Sequence, residues 1–371
     1  MRVLRIHEES PYDCLVGIGG MGAGIFFTLA GDHTMGRNES RAGQLLDVRD
    51  YCKLHIVIHY VARLLGAQPS GVPFHVLPVG KVGEDAPGHF VLKEMAATGI
   101  DTRFVGTTPG RPTLFSVCFQ YPDHTGGNIT TNNSAADSLC NRDLDEIAEV
   151  LSSGGARTMA LALPEVPLEA RRYFLELATR AGNFRAASFV TGEIALARSW
   201  GMFEQLDLVS LNGEEASALV GEQFSSDHPH GFIEKYQAFL RTCYPHLQMV
   251  VSGGRSGAYA VSADCWNYCP APRVAVVSTA GAGDCLLGGI LSGLAAGIPL
   301  LKPQERLAGT VETALDLGVL LASYKVSSAH TIHPDASLPT LLEFAERVGV
   351  KFAPVIRKRI SGHLSVRPGC D

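Results

Sequence analysis

Seven short apolar runs punctuate this chain: 13–19 (DCLVGIG), 73–80 (PFHVLPVG), 157–164 (RTMALALP), 184–190 (FRAASFV), 206–212 (LDLVSLN), 247–254 (LQMVVSGG) and 274–278 (VAVVS). They are apolar throughout rather than alternating, the pattern of strands covered on both faces. Helices are expected near 54–66, 86–98, 141–151, 167–181, 213–220, 231–243, 283–297 and 305–327. Strand and helix in strict alternation imply an α/β fold, a mainly parallel sheet with helices on both faces. Two regions break the rhythm. Residues 20–50 are polar and turn-rich, and 103–134 carry TLFSVCFQY followed by PDHTGGNITTNNS. Both suit a small β-rich lid standing off the main sheet, so residues 1–371 are expected to form a single domain with lid segments near 20–50 and 103–134. No internal repeat is evident.

Composition narrows the function classes. Hydrophobic residues at 46% and charged residues at 18% argue against disorder. A net charge of −6 without a Lys/Arg-rich run gives no footprint for nucleic acid. No uninterrupted apolar run approaches the roughly 18 residues of a membrane span, and MRVLRIHEES has no apolar core of a signal peptide. The nine cysteines are odd in number and scattered, and the Cys265/Cys269 spacing matches no common zinc knuckle. Reduced thiols in a cytoplasmic protein account for them most simply. The expected partner is a small-molecule substrate, with no membrane and no nucleic acid.

Residues 278–291 (STAGAGDCLLGGIL) carry the sharpest signal. The run 274–278 is expected to be a strand feeding the turn Thr279–Gly283, with a helix beginning near Asp284. Such a turn lies at the carboxyl edge of a parallel sheet, where ligands bind. Small residues bare the first N–H groups of the helix, so an oxyanion can approach its positive end. An aspartate beside that anion site can take the proton of an attacking hydroxyl. The alternative is that Asp284 caps a helix and the glycines only pack it.

This segment resembles the C-terminal motif of the ribokinase-like (PfkB-type) sugar and nucleoside kinases, Asp-Thr-x-Gly-Ala-Gly-Asp. Upstream, Asn212-Gly213-Glu214-Glu215 is similar to the family's Asn-x-x-Glu. Ser252-Gly253-Gly254-Arg255-Ser256-Gly257 is similar to its phosphate loop. The resemblance is specific from about 200 to 330, and VGKVGEDAPGHFVLKEMAATGID resembles the family's glycine-containing strand and helix. It implies a ribokinase-like three-layer α/β/α kinase domain using ATP and Mg²⁺ on a hydroxyl of a sugar or related metabolite. Asp284 would be the general base, and Gly281, Ala282 and Gly283 the anion hole. Asn212, Ser252, Gly254 and Gly257 would border the nucleotide phosphates, and Glu215 would organise Mg²⁺ through water. Acids at a helix start explain Glu214 and Glu215 equally well. Lid-mediated dimers occur in the family, which leaves a homodimer open.

Departures from the family pattern are as informative. Ser278 replaces the aspartate that in several members helps hold a monovalent cation, which leaves a cation requirement open. Gly24 stands near the expected substrate-binding acid of the N-terminal half. Cys52-Lys53 and Val57 replace the usual glycines and asparagine. The acceptor pocket must therefore be built differently, with Asp32, Arg37, Asn38, Asn128 and Asn132 as candidate polar groups; each could equally be a solvated loop residue. Arg37 could hold a phosphate or carboxylate on the substrate.

Rival readings remain. GIGGMG (17–22) fits a dinucleotide fingerprint and would make an NAD-dependent oxidoreductase, but only if it opens a helix and an acid follows about 20 residues on. The altered N-terminal half also admits a non-catalytic nucleotide or metabolite sensor. His55 and His59 are one helical turn apart, as zinc ligands or as histidines of an amphipathic helix. LLGGILSGLAAG reads as a buried helix whose Gly288, Gly289 and Gly293 permit close contact, with membrane helix pairing as the alternative.

Overall fold

The apolar runs assemble around β1, whose CLVGI sequence is almost wholly buried. The computed structural model describes residues 2–6, 10–123, 126–224, 229–303 and 307–360. In chain order the strands are β1 (Cys14–Ile18), β2 (Gly22–Leu29), β3 (Gly43–Tyr51), β4 (His75–Gly83), β5 (Val105–Thr108), β6 (Leu114–Gln120), β7 (Gly126–Thr130), β8 (Thr158–Ala162), β9 (Phe184–Ala187), β10 (Leu208–Asn212), β11 (Gln248–Ser252), β12 (Ala258–Val261) and β13 (Trp266–Cys269). Nine of them form one sheet in the order β13-β12-β11-β10-β9-β8-β1-β4-β5. From β11 to β5 every pairing is parallel, and β12 and β13 add an antiparallel edge. Helices cover both faces, giving the expected three-layer α/β/α arrangement.

Most of the two breaks in rhythm forms a second sheet of four strands, β3-β2-β6-β7, whereas β5, at the start of the 103–134 segment, is the edge strand of the large sheet. Its residues are mostly part-exposed on β2 and fully exposed on β7. Residues 124–125 of PDHTGGNITTNNS lie outside the described residues. GIGGMG leads into strand β2 rather than a helix. A Cβ at Gly22 would lie 2.1 Å from the Leu114 carbonyl oxygen, so this glycine serves the close approach of β2 and β6. The dinucleotide fingerprint therefore fails in its structural requirement.

Two other expectations are corrected. VAVVS at 274–278 is not a strand: β13 is the sheet edge, Val276 and Val277 are exposed, and the N–H groups of Val277 and Ser278 both donate to the Val326 carbonyl. Pro270 and Pro272, each lacking a backbone N–H, precede this departure from the sheet. The expected helix 305–327 begins only at Ala314, where Thr313 and Asp316 form a capping box. Residues 305–306 of that expectation lie outside the described residues. Helix Leu338–Arg347, which was not anticipated, starts with Pro inside a Ser337 cap.

Helix Ala282–Ala295 is wedged between helices Lys53–Leu65 and Ala314–Lys325. Added Cβ atoms at Gly288, Gly289 and Gly293 would lie 2.9 Å from the Val57 carbonyl oxygen, 2.8 Å from Gly318 Cα and 2.8 Å from Ala314 Cβ. The glycines are thus a packing device, and this apolar helix is core. Among the described residues no helix is long and apolar enough to cross a membrane.

Candidate active site

The 279–284 segment is built as a bare turn. Gly281 takes a left-handed conformation (φ 74°) at the N-cap of helix Ala282–Ala295 and offers no capping side chain. Ala282 N–H donates to the Thr279 carbonyl and Cys285 N–H to that of Gly281. Among the described residues the Gly283 and Asp284 N–H groups have no backbone acceptor, and a Cβ at Gly283 would meet only open space. The Gly283 N–H, at a positive helix end with no side chain in the way, is suited to an anion.

Asp284 stands at the third position of this helix with its side chain 16% exposed, and the Lys53 ammonium lies 4.0 Å from its Oδ1. Burial raises the Asp284 carboxyl, while the Lys53 charge and its own backbone N–H pull it down. Lys53 is held charged chiefly by Asp284, against desolvation, with Glu165 and Glu215 adding to the effect. A half-buried carboxylate of raised basicity, kept ionised by one ammonium, is a competent proton acceptor.

Lys53 opens helix Lys53–Leu65, whose early N–H groups are satisfied from outside the helix. Lys53 N–H donates to Glu165 Oε2 at 2.9 Å and Leu54 N–H to the Gly20 carbonyl at 3.2 Å. Glu165 is a non-glycine residue at φ 74°, a conformation costing about 1–2 kcal/mol. Gly20 makes room for it, since a Cβ there would stand 2.4 Å from Glu165 Cβ. Strain of this kind concentrates at functional sites.

Burial pushes Glu165 up to about 7, against the opposing charge and hydrogen bond of Lys53. The folded protein thus holds this proton more tightly than the unfolded chain. Stability from this group is fully present below the unfolded value of 4.5 and is lost as the pH rises towards 7. At about 1.4 kcal/mol per unit, discounted for partial exposure and for the Lys53 pair, the loss is about 2 kcal/mol. Glu165→Gln should therefore melt higher than the parent at pH 8 and show no gain at pH 4. Parallel thermal melts test this, and a variant gaining equally at both pH values refutes it.

An acid lies beside Gly24 on the neighbouring strand. Gly24 pairs with Asp50 across β2 and β3, and a Cβ at Gly24 would lie 2.3 Å from Asp50 Oδ2. Asp50 is buried and accepts from Ser116 Oγ at 2.7 Å and Cys118 Sγ at 3.3 Å.

The upstream motifs meet at the carboxyl edge of the large sheet. Asn212 ends β10 directly opposite Ser252 at the end of β11. Asn212 Oδ1 accepts from Glu215 N–H at 2.9 Å, and Glu215 Oε2 accepts from Asn212 N–H at 2.8 Å. The acid-at-helix-start reading of Glu215 thus describes a real cap. Its Oε1 takes no part in that cap, burial raises its carboxyl, and the charges of Lys53 and Asp284 reach it. After Ser252 the chain makes a tight turn, with Gly254 at φ 57° and Gly257 at φ 106°. A Cβ at Gly257 would lie 2.0 Å from the Cys269 carbonyl oxygen, whereas one at Gly254 would meet open space.

Asp32, Arg37 and Asn38 are exposed in the connection between β2 and β3, and Asn128 is exposed on β7, bonded to Thr130. Asn132 is exposed too. Among the described residues none of these five bonds to Asp284, Lys53 or Glu165. The polar groups that do surround Asp284 are Lys53, Glu165 and Glu215. The sequence marked Lys53 only as a misplaced glycine, and Glu165 had no motif beyond its position after Pro164 at a strand end. His55 is fully buried against Tyr51, with ring centroids 4.5 Å apart. No group of three or more potential metal ligands occurs among the described residues.

The model of the pfkB family of carbohydrate kinases matches residues 57–338. Fructokinase-1 of Oryza sativa subsp. japonica is 24% identical over 260 residues, 67% of this chain and 76% of that protein. The ribokinase of Cryptococcus neoformans var. grubii serotype A, solved with ADP, superposes with a TM-score of 0.70 at 19% identity, covering 90% of this chain and 99% of that one. A nucleoside kinase of Burkholderia thailandensis, solved with inosine, gives a TM-score of 0.66 at 15% identity over 91% and 98% of the two chains.

Proposed function

Because the chain belongs to the pfkB family of carbohydrate kinases, we propose that it transfers the γ-phosphoryl of ATP to a hydroxyl of a sugar or closely related small metabolite. The juxtaposition of Asp284 with the bare 281–283 turn, whose Gly283 N–H is unobstructed, carries this reading. The acceptor hydroxyl would give its proton to an Asp284 carboxylate oxygen as its own oxygen bonds to phosphorus. The turn would hold the three equatorial phosphoryl oxygens, whose charge needs stabilisation more than covalent help. Lys53, beside Asp284, would keep that carboxylate ionised before the transfer.

The nucleotide phosphates would lie along the sheet edge at Asn212, Ser252, Gly254 and Gly257, where Gly254 faces open space. Mg²⁺, which neutralises phosphate charge, fits Glu215: its carboxylate keeps one oxygen outside the helix cap, enough for contact through water. Asp50 and Glu165 would receive acceptor hydroxyls. Asp32, Arg37, Asn38 and Asn128, on the β-rich lid, would meet substrate only when that sheet folds over the cleft.

The test is acceptor-dependent ADP release with Mg²⁺ and ATP across sugars, sugar phosphates and nucleosides. A kinase of this kind should raise ADP release at least tenfold over the acceptor-free rate with one class. Tight ATP binding without turnover on any acceptor would instead make the protein a sensor and defeat the proposal.

A further inference from the structure

Lys325, the last residue of helix Ala314–Lys325, is fully buried, although lysine is almost never found so without a partner charge. Its Nζ donates to the Ser278 carbonyl at 3.0 Å. No carboxylate forms an ion pair with it among the described residues, the nearest influences being the Cys285 thiol and the Asp50 charge, with His333 on the other side. An ammonium taken out of water without a counter-ion is costly. Burial accordingly draws this lysine down to about 8.

The position of this charge suggests what offsets its cost. Ser278 begins the turn that ends in Gly281 and Asp284. Its Oγ accepts from Ala280 N–H at 3.3 Å, and the next carbonyl, Thr279, accepts from Ala282 N–H at 3.1 Å. The same short segment is stapled to the lysine's neighbour, since Val326 accepts from both Val277 and Ser278. The positive charge of Lys325 also reaches Cys285, immediately after Asp284. The ammonium therefore sits buried at the head of the bare turn, fixed to its first carbonyl. The missing counter-charge is one that arrives with the substrate.

We propose that Lys325 is a tethered cation beneath the phosphoryl-binding turn. It is a positioning residue that fixes the Ser278 carbonyl and supplies from within the charge that a diffusible monovalent cation would otherwise bring. This rests on the phosphotransfer reading. Ser278, an uncharged residue at the head of the turn, fits it: a carboxylate there would compete with the incoming phosphoryl group for the lysine.

Two arms test it. The parent enzyme should turn over within about twofold in sodium, potassium or tetramethylammonium chloride at equal ionic strength. Lys325→Met should lose about 100-fold in kcat, comparable to removing one anion-hole donor, with acceptor KM within about threefold. Ammonium or potassium chloride, but not tetramethylammonium, should restore at least tenfold. Unchanged kcat, a loss that no cation restores, or a parent that requires potassium would each overturn the proposal. If Lys325→Met does not fold, Lys325→Gln takes its place, and the parent arm decides alone if neither folds. If the parent shows no turnover at all, the kinase reading has failed separately. The Lys325 inference is then read by calorimetry with Mg²⁺, as a selective loss of affinity for ADP–aluminium fluoride relative to ADP; equal affinities would refute it.

Discussion

Asp284→Asn is expected to lower kcat by about 10³-fold while the dissociation constant for ATP changes less than threefold. The substitution preserves shape and hydrogen-bonding reach but removes the proton acceptor, and positioned general bases are worth about 10²–10⁴ in rate. Asp284 owes its basicity to burial and its ionisation to an ammonium 4.0 Å away. Asparagine would leave Lys53 with Glu165 and Glu215 as its remaining negative neighbours. Nucleotide affinity should survive, because the phosphate-binding candidates lie on β10, β11 and the turn after them. Steady-state kinetics with calorimetry on the same preparation separates the two effects. A variant with parental kcat on its true acceptor would end the assignment of Asp284 as base.

Gly281→Ala is expected to be nearly as damaging to turnover, by about 10²-fold, the scale for one lost anion-hole contact. Two independent costs meet at this residue. Its φ of 74° is strained for any side chain, and an added Cβ would stand 2.7 Å from the Thr331 carbonyl oxygen. Thr331 cannot yield readily, because its Oγ1 accepts from Tyr51 N–H and its own N–H donates to the Arg49 carbonyl. The turn must therefore twist, carrying the Gly283 and Asp284 N–H groups off their direction. A stability loss of about 1–2 kcal/mol should accompany this, measurable as a lower urea midpoint. Assays well below the transition isolate the kinetic effect, and parental kcat there would show that the turn does not serve the reaction.

What could be read from the sequence follows from how local each feature is. The motifs at 212–215, 252–257 and 279–284 are short segments whose own backbone makes the feature, so residue types and spacing reveal them. The parallel core strands are similarly legible, since continuous burial dictates continuous apolarity. VAVVS misled because an apolar β-branched run looks the same whether it joins a sheet or leaves one; the staple to Val326 is invisible from a distance of 48 residues in sequence, taking 278 from 326. Lys53, Glu165, Asp50 and Lys325 lie on two helices, a strand and a loop, and only tertiary packing gives them their neighbours. The loss of an acid at Gly24 was plain, but the place of Asp50 beside it depends on the register of β2 and β3.

The glycine contacts of helix Ala282–Ala295 have a mechanical consequence. At Gly288 and Gly289 main chain meets the main chain of a neighbouring helix, and at Gly293 it meets the Ala314 methyl; such seams have little compressible slack. The 4.0 Å spacing between Asp284 and the Lys53 ammonium is therefore set by the packing of rigid helices. On the proposed function, any closure over a substrate would then fall to the separate four-stranded sheet.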